Sequence, residues 1–258
     1  MLTVPMERQE KHFDSIAAKY FRERQAETLL FLKDVMWRYF LSDKDYLKSV
    51  HSVLEPMCGF GEGKRIIEKN IKTDIVYEGF DFSQNIIDLA KKHDPELRVY
   101  KMDVLDMNAR DKYDLVMIIG GLHHAYRSLD AILAKVHDAL KAGGYFISYE
   151  PTNNMFLTRL VREKIYMANS LFDPETERAF DLLPLNDRFR QAQFRIVDQV
   201  YPGLLSYVLF YNPDAFPKLN VGGKGLVKIL FNFDRLFFRN MVGRKLSFAT
   251  LTLLKKDQ

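Results

Sequence analysis

The amino-acid sequence predicts an α/β fold with a seven-stranded, mainly parallel sheet, helices on both faces of that sheet, and additional helical cap elements. Apolar segments alternate with amphipathic ones from residue 50 onward. The five consecutive apolar residues at 115–119 are typical of a strand covered on both faces, and three glycines follow the first predicted strand. Because strands and helices alternate, we expect right-handed crossovers and a ligand crevice at the carboxyl ends of the strands.

Composition predicts one globular domain over residues 1–258. Apolar residues make up 47% and charged residues 28% of the chain, and the net charge of +4 is too small to require a nucleic-acid partner. A single cysteine, Cys58, excludes an internal disulfide framework, and no apolar run approaches the roughly 20 residues that a membrane-spanning helix needs. Because the first residues lack a signal-peptide pattern, we expect a cytoplasmic protein.

The predicted elements follow one another in a regular order. Helical spacing of apolar residues predicts an N-terminal helical lid at 1–45, and the alternating core follows at 46–151. Ser83 is the predicted cap of the second core helix. The core strands are predicted from residue 50 and at 75–81, 97–103, 113–120 and 145–150, and the core helices at 64–70, 83–92 and 128–140.

Beyond residue 151 the pattern changes to longer apolar and aromatic stretches. We predict a helix over 153–187, strands at 195–201 and 246–254, and cap or substrate insertions at 152–193 and 204–243. Aromatic caps over the strand ends suit a bulky apolar ligand. The alternative is that these segments form a homodimer interface or additional core.

The glycine-rich turn at 55–63 can be compared with two common nucleotide-binding motifs. Its glycines let the backbone approach a ligand closely, and the helix that follows directs its positive N-terminal end toward the same place. The dinucleotide fingerprint needs a third glycine where this chain has Lys64, and a phosphate-binding loop needs Ser or Thr where it has Arg65. Neither motif fits, so the turn predicts a ligand-binding site but not the chemical class of the ligand.

Taken together, the motifs of the core resemble those of the class I S-adenosylmethionine-dependent methyltransferases. The matching features are the glycine turn, Asp81 at the end of the second strand, Asp103-Val104 after the third, residues 113–116 opening the fourth, and residues 141–144 before the fifth. Residues 12–20 and 121–125 are similar to signatures of the small-molecule branch that includes the ubiquinone and menaquinone methyltransferases. The resemblance implies a Rossmann-like fold, S-adenosylmethionine as cofactor with S-adenosylhomocysteine as product, and a small-molecule acceptor.

The same resemblance implies a set of cofactor-binding residues. Asp81 would accept hydrogen bonds from both ribose hydroxyls, because a carboxylate has two acceptor oxygens. Phe82 would flank the adenine, and Asp103 would accept from the adenine amino group with the Val104 backbone nearby. The alternatives are strand-end turn formation for the two aspartates and core packing for Phe82. The remaining implied cofactor residues are Tyr20, Glu55, Gly59, Gly61 and Gly120.

Two adjacent histidines, His123 and His124, are the predicted catalytic residues. Methyl transfer from a sulfonium is an in-line displacement that needs a base only if the acceptor must lose a proton, and histidine titrates near neutrality. Adjacent residues in a turn point in different directions, so we expect at most one base, His123 ahead of His124; the alternative is a structural role for both. Glu150 is predicted to bind the acceptor, or else to form local hydrogen bonds. The other histidines lack metal-ligand spacing, so no metal is expected.

The first hypothesis for function is methyl transfer to a hydroxyl oxygen of a small apolar or glycosylated metabolite. An RNA base methyltransferase is one alternative, because Met57 replaces the usual first glycine and residues 55–59 are similar to the turn of certain RNA guanine methyltransferases. Residues 120–123, however, differ from the Asn/Asp-Pro-Pro-Tyr/Phe segment of those enzymes. A non-catalytic partner subunit is another alternative.

A further alternative is a C-methyltransferase that acts on a quinone or lipid-like acceptor at a membrane surface. The apolar segment 226–238 and its basic neighbours would give peripheral membrane contact. Asn232 and Asp234 interrupt its apolar character and count against this expectation.

Overall fold

The computed structural model describes residues 14, 17–19, 21–156, 158–160, 162, 178–211 and 222–257. The strands are β1 (Ser52–Pro56), β2 (Val76–Asp81), β3 (Val99–Lys101), β4 (Tyr113–Ile119), β5 (Leu140–Asn153), β6 (Phe180–Asp181), β7 (Phe194–Val200) and β8 (Ala249–Lys256). The longer helices are α1 (Glu27–Leu41), α2 (Glu62–Asn70), α3 (Gln84–His93), α4 (Leu129–Ala139), α5 (Leu182–Gln191), α6 (Leu205–Phe210), α7 (Lys224–Asp234) and α8 (Met241–Leu246).

The strands form one mainly parallel sheet in the order β3-β2-β1-β4-β5-β8-β7, with the two-residue β6 beside the end of β5. Strand β1 lies in the middle, where Val53 pairs with Tyr77 of β2 and Leu115 of β4. Only β8 runs antiparallel to its neighbours β5 and β7. The predicted fold class is therefore confirmed, and the parallel strands bring their carboxyl ends to one edge.

Alternate residues of β4 supply the two apolar cores, one on each face of the sheet. Leu115 and Met117 pack on the face that α1, α2 and α7 cover, whereas Val116 and Ile118 pack on the face that α4 and α5 cover. All four side chains are fully buried. This double coverage explains the uninterrupted apolar run of the sequence.

Local signals fix the helix that follows β2. The Ser83 hydroxyl accepts a hydrogen bond from the Ile86 backbone N–H, which confirms the predicted N-terminal cap of α3. Ile86, Ile87 and Ala90 form its buried side. The polypeptide therefore leaves Asp81 at the strand end and turns at once into a helix.

The prediction of one helix over 153–187 holds for only part of the described residues: 156, 158–160, 162 and 182–187 are helical, whereas 153 and 180–181 belong to strands. Strand β5 continues to Asn153, and Phe180 and Asp181 pair with Thr152 and Asn153 as β6 before α5 begins at Leu182. Pairing along the extended edge of β5 outweighs the helical spacing of the apolar residues. The predicted residues 163–177 lie outside the described residues.

The final strand also begins later than predicted, at Ala249, because residues up to Leu246 belong to α8. Helices α6 to α8 lie between β7 and β8 in sequence, and α6 and α7 pack against α1. The Phe238 ring, in the turn between α7 and α8, lies 5.4 Å from the Tyr39 ring of α1. Among the described residues, no helix has the length and apolar character required to cross a membrane.

Candidate active site at the carboxyl ends of the strands

The turn after β1 opens onto free space. Gly59 and Gly61 have φ values of +52° and +72°, a backbone region that favours glycine. A Cβ atom built on Gly59 would meet nothing within 4 Å, whereas one on Gly61 would lie 2.5 Å from Leu97. Gly59 therefore borders room for a ligand, and Gly61 permits close packing of the turn against the chain beyond α3.

Met57, where the resemblance described above implies a glycine, also adopts a positive φ of 58°. This conformation costs a non-glycine residue roughly 1–2 kcal/mol. Its side chain packs beside Gly121, where an added Cβ would lie 2.9 Å from the Met57 Cβ atom. The close approach leaves no room for a side chain at residue 121, and the Met57 side chain is partly buried against the core on the face that α4 and α5 cover.

The buried side chain of Glu55 stabilises the glycine-rich turn through hydrogen bonds. Its carboxyl group is buried and accepts hydrogen bonds from the Gly63 N–H at 2.9 Å and from the Tyr77 hydroxyl. Burial raises the pKa of Glu55 to about 8, although the Tyr77 and Gly63 hydrogen bonds oppose this shift. Both bonds are internal, so the structure gives Glu55 a role in holding the start of α2 rather than in direct contact with a ligand.

The raised pKa of Glu55 predicts a measurable pH dependence of stability. The folded-state pKa of Glu55 lies above the ordinary value of 4.5. Between about pH 4.5 and pH 8, therefore, Glu55 is still protonated in the folded protein but already ionised in the unfolded chain. The contribution of Glu55 to the free energy of unfolding is therefore lost as the pH rises through this window. Glu55→Gln keeps an acceptor and cannot ionise, so its stability relative to the parent should increase with pH.

Urea unfolding between about pH 5 and pH 8 measures this effect. We expect the difference in unfolding free energy between Glu55→Gln and the parent to grow by on the order of 1 kcal/mol or more across that range. Glu96→Gln, at an exposed position, is the matched control and should leave the pH dependence of the parent unchanged. A Glu55→Gln variant with the same pH dependence as the parent would contradict a buried, protonated Glu55.

Asp81 lies at the end of β2 and faces the glycine turn. Its two carboxylate oxygens accept from the Gly59 N–H at 3.0 Å and the Ser83 N–H at 3.1 Å. Each oxygen has a further lone pair for an outside donor. Burial raises the pKa of Asp81, and the two backbone donors oppose the shift. The side chain thus joins the β1 and β2 ends and offers acceptor capacity at their junction.

The other predicted adenine-side residues lie along the same edge. Phe82 is half-buried beside Asp81, and the Val104 side chain is buried. The Asp103 carboxylate accepts from the Leu105 N–H at 2.8 Å and begins a short 3-10 turn. A turn-forming role is therefore present for Asp103, while its contact with a cofactor stays a prediction.

Parts of the N-terminal segment lie over this edge. Asp14 accepts from the Ser83 hydroxyl and the Asn85 N–H, and the Phe21 ring meets the Phe60 ring of the glycine turn edge-on at 4.9 Å. These contacts support the predicted lid. Tyr20, the predicted lid residue over the sulfonium, lies outside the described residues.

The loop after β4 carries a histidine held by a buried carboxylate. His123 Nδ1 lies 2.9 Å from Glu150 Oε2. Glu150 also accepts from the backbone N–H groups of Gly121, Leu122 and His123, at 3.1, 2.9 and 3.3 Å. Gly120 begins the loop at a φ of +66°, and its N–H donates to the Tyr149 carbonyl. The carboxylate therefore fixes both the loop and the imidazole.

The expectation that the two adjacent histidines point in different directions is wrong. The His123 and His124 rings lie 3.9 Å apart with an angle of 37° between their planes. Burial raises the pKa of Asp81 and of Glu150, and the nearby His124 opposes both shifts. His124 therefore interacts with the predicted ribose-binding carboxylate as well as with the His123–Glu150 pair.

The predicted role of Glu150 in direct binding of the acceptor needs correction. Only 1% of Glu150 is exposed, and both carboxylate oxygens are engaged by the histidine loop. Its place between β5 and that loop makes it a positioning residue for His123. Burial raises the pKa of Glu150 to about 7, against the opposing hydrogen bonds from the Leu122, His123 and Gly121 N–H groups.

Asn154 is a further candidate ligand-binding residue that no sequence motif indicated. It follows β5 directly, and both polar atoms of its side-chain amide are buried without a hydrogen-bond partner in the described part of the chain. Burial of an unsatisfied amide costs on the order of 1–3 kcal/mol. A ligand that both donates and accepts would remove that cost.

Within the described residues, no group of three or more His, Cys, Asp and Glu side chains could hold a metal ion.

Comparisons with known proteins agree with this architecture. The sequence profile of a family described as a methyltransferase domain matches residues 53–144. A demethylmenaquinone methyltransferase of Staphylococcus haemolyticus is 26% identical over 151 residues, which cover 56% of this chain and 62% of that protein. The match thus spans less than two thirds of that relative's length.

Solved structures share the fold over a larger part of the chain. A chain from the complex of the Haloferax volcanii Trm112 methyltransferase activator with a methyltransferase has a TM-score of 0.62 at 16% identity, covering 95% of this chain and 98% of its own. An S-adenosylmethionine-dependent methyltransferase from Archaeoglobus fulgidus has a TM-score of 0.57 at 18% identity, covering 87% and 93%. The glycine turn and strand-end carboxylate described above fall within the matched domain.

Proposed function

We propose that the chain is a class I S-adenosylmethionine-dependent methyltransferase and that it transfers a methyl group from this cofactor to a hydroxyl oxygen of a small apolar or glycosylated metabolite. The observation that carries the choice of oxygen is the His123–Glu150 pair at the carboxyl edge of the sheet. A hydroxyl group must lose its proton to become a good nucleophile, so this acceptor class requires a base.

The residues at the edge fit the cofactor. The open space beside Gly59 admits a ligand against the backbone, and the remaining lone pairs of Asp81 suit two adjacent ribose hydroxyls. We assign Asp81, Gly59, Gly120 and the half-buried Phe82 to cofactor binding on these grounds. When bound, S-adenosylmethionine supplies an electrophilic methyl group on a positively charged sulfur.

The pairing with Glu150 suits His123 to act as a base. An ionised Glu150 accepts from His123 Nδ1–H, and this tautomer puts the basic lone pair of the imidazole on Nε2. His123 Nε2 would take the proton of the acceptor hydroxyl, and S-adenosylmethionine, when bound, would supply the methyl group to that oxygen and be released as S-adenosylhomocysteine. His124, stacked on His123, is placed to shield the pair and to contact the cofactor side of the site.

Side chains around β5 support an acceptor with an apolar body and polar groups. Tyr149 lies on the opposite face of β5 from Glu150, and its ring meets Tyr211 edge-on at 5.6 Å. Tyr207 stacks on Tyr211 at 4.6 Å, so α6 brings two aromatic rings to this strand. The buried amide of Asn154 would bind a hydroxyl or carbonyl of the acceptor. We propose that Tyr207, Tyr211 and Asn154 line its approach, with the buried Tyr149 ring packed behind the two tyrosines.

Isotope labelling tests the proposal and identifies the acceptor in the same experiment. The protein is incubated with methyl-labelled S-adenosylmethionine and fractions of a cell extract from its host, and the labelled product is isolated. We expect label in a low-molecular-mass fraction, and loss of that label with His123→Ala. Label that appears only in the RNA fraction would contradict the proposal and favour the base-modifying alternative.

A further inference from the structure

The helices between β7 and β8 carry a concentrated apolar surface. Of the fifteen large apolar side chains that are exposed in the described part of the chain, seven lie between residues 226 and 246. Ile229 and Leu236 are each 66% exposed, and Phe233 is 50% exposed. We call the exposed side chains of residues 222–246 the α7–α8 surface. Such a concentration of exposed apolar groups marks an interaction site rather than ordinary surface variation.

The apolar side chains on this surface are not the ones that hold α7 to the protein. Val227 and Phe231 are buried against the core, and Asp234 follows them on the same side of the helix. Leu226, Ile229 and Phe233 are spaced three and four residues apart, so they form a second stripe. The helix therefore has apolar residues on two sides, of which the protein covers one.

Asp234 does not interrupt the exposed stripe. Only 1% of this residue is exposed, and its carboxylate accepts from the N–H and the hydroxyl of Ser206 at 2.6 Å each. Asp234 is therefore not part of the exposed surface and does not break its apolar character, contrary to the expectation from the sequence. Asn232 is exposed but carries no charge.

The remaining charges of the α7–α8 surface are all positive. Asp234 is the only acidic residue in 222–246, against six basic ones. Lys224 pairs with Glu27, and Arg239 pairs with Asp198. The other four have no ion pair in the described part of the chain: Lys228, Arg235, Arg244 and Lys245. The surface thus combines exposed apolar groups with positive charge that the protein leaves unneutralised.

We propose that the α7–α8 surface docks on an anionic lipid bilayer. Apolar side chains enter the boundary between headgroups and acyl chains, while lysine and arginine side chains contact anionic headgroups. The basic groups alone would also suit a nucleic acid, but the exposed aliphatic side chains would gain nothing from phosphate contacts. This inference is independent of methyl transfer, because it requires neither the cofactor nor the histidine pair.

Vesicle sedimentation tests the proposal with the full chain. The probes are phosphatidylcholine vesicles and vesicles of phosphatidylcholine mixed with phosphatidylglycerol. We expect binding to the anionic vesicles to be at least tenfold stronger than to the neutral ones and to weaken with added salt. Ile229→Gln/Phe233→Gln should reduce binding about tenfold or more, as should Lys228→Gln/Lys245→Gln.

Matched variants separate these effects from general changes in the protein. Leu183→Gln removes an exposed leucine from α5, and Lys91→Gln/Lys92→Gln removes two exposed charges from α3. Both should bind anionic vesicles as the parent does, and thermal unfolding should show that every variant folds. Absent binding to anionic vesicles, or equal binding by the α7–α8 variants and the parent, would overturn the proposal. RNA retention, or a dimer that Ile229→Gln/Phe233→Gln dissociates, in place of vesicle binding would also overturn it.

Discussion

Asp81→Ala is expected to raise the Kd for S-adenosylmethionine by about 100-fold or more. Charge-assisted hydrogen bonds contribute roughly 1.5–3 kcal/mol each, and two such bonds to the ribose would be lost together. The variant also removes the acceptors of the Gly59 and Ser83 N–H groups, so the glycine turn loses its connection to β2. Isothermal calorimetry with the purified protein measures the Kd directly.

Two controls sharpen the Asp81 experiment. Asp88→Ala removes an exposed carboxylate from α3, one helix turn beyond the site, and should leave the Kd unchanged. Asp81→Asn keeps one carbonyl acceptor and should weaken binding less than Asp81→Ala does. Unchanged calorimetric binding by a folded Asp81→Ala variant would remove Asp81 from the cofactor site.

His123→Ala is expected to lower kcat by about 10²- to 10⁴-fold, the usual contribution of a positioned general base. Cofactor binding should stay within about threefold of the parent, because the predicted ribose contacts belong to Asp81. The assay uses the acceptor identified by isotope labelling. His51→Ala, an exposed histidine just before β1, is the matched control and should retain full turnover.

Glu150→Gln tests whether the carboxylate acts through His123. The Gly121 and Leu122 N–H groups hold one oxygen, so the amide nitrogen of glutamine would face His123 and donate to Nδ1. That arrangement places the imidazole proton on Nε2 and removes the base. We expect a turnover loss approaching that of His123→Ala with little change in cofactor Kd. Full turnover by both variants would show that the loop supplies no base.

The pH profile separates this positioning role from a purely structural one. In the parent, kcat should rise with pH through about 7, where Glu150 becomes ionised and accepts from His123 Nδ1–H. Below this range a protonated Glu150 would donate to Nδ1 instead, leaving Nε2 unable to accept a proton. Glu150→Gln should lack this rise, whereas a variant that is merely less stable would keep it.

Local sequence patterns predicted the strand-end edge well because its signals are short in range. The glycines after β1, Asp81 after β2 and the Ser83 cap of α3 each lie within a few residues of the turn that they determine. Parallel pairing then brings these turns together, as the sheet topology required. The fold class, and the convergence of these turns at one edge of the sheet, could therefore be inferred without tertiary information.

Contacts between distant segments could not be read from the same patterns. The His123–Glu150 pair joins residues 27 positions apart, and no periodicity indicates which side chain a strand-end carboxylate will face. The stacking of His123 on His124 depends on how the loop after β4 is bent. Likewise, the need for glycine at residue 121 follows only from the close approach of Met57, which belongs to a different loop.

Identifying the atom that receives the methyl group tests the proposed hydroxyl methylation most directly. NMR spectroscopy of the purified product, made with methyl-labelled S-adenosylmethionine, identifies the atom bonded to the labelled carbon. We predict a methyl ether oxygen, in keeping with a base at His123. A labelled methyl group bonded to carbon or nitrogen of the isolated product would contradict hydroxyl methylation by this site.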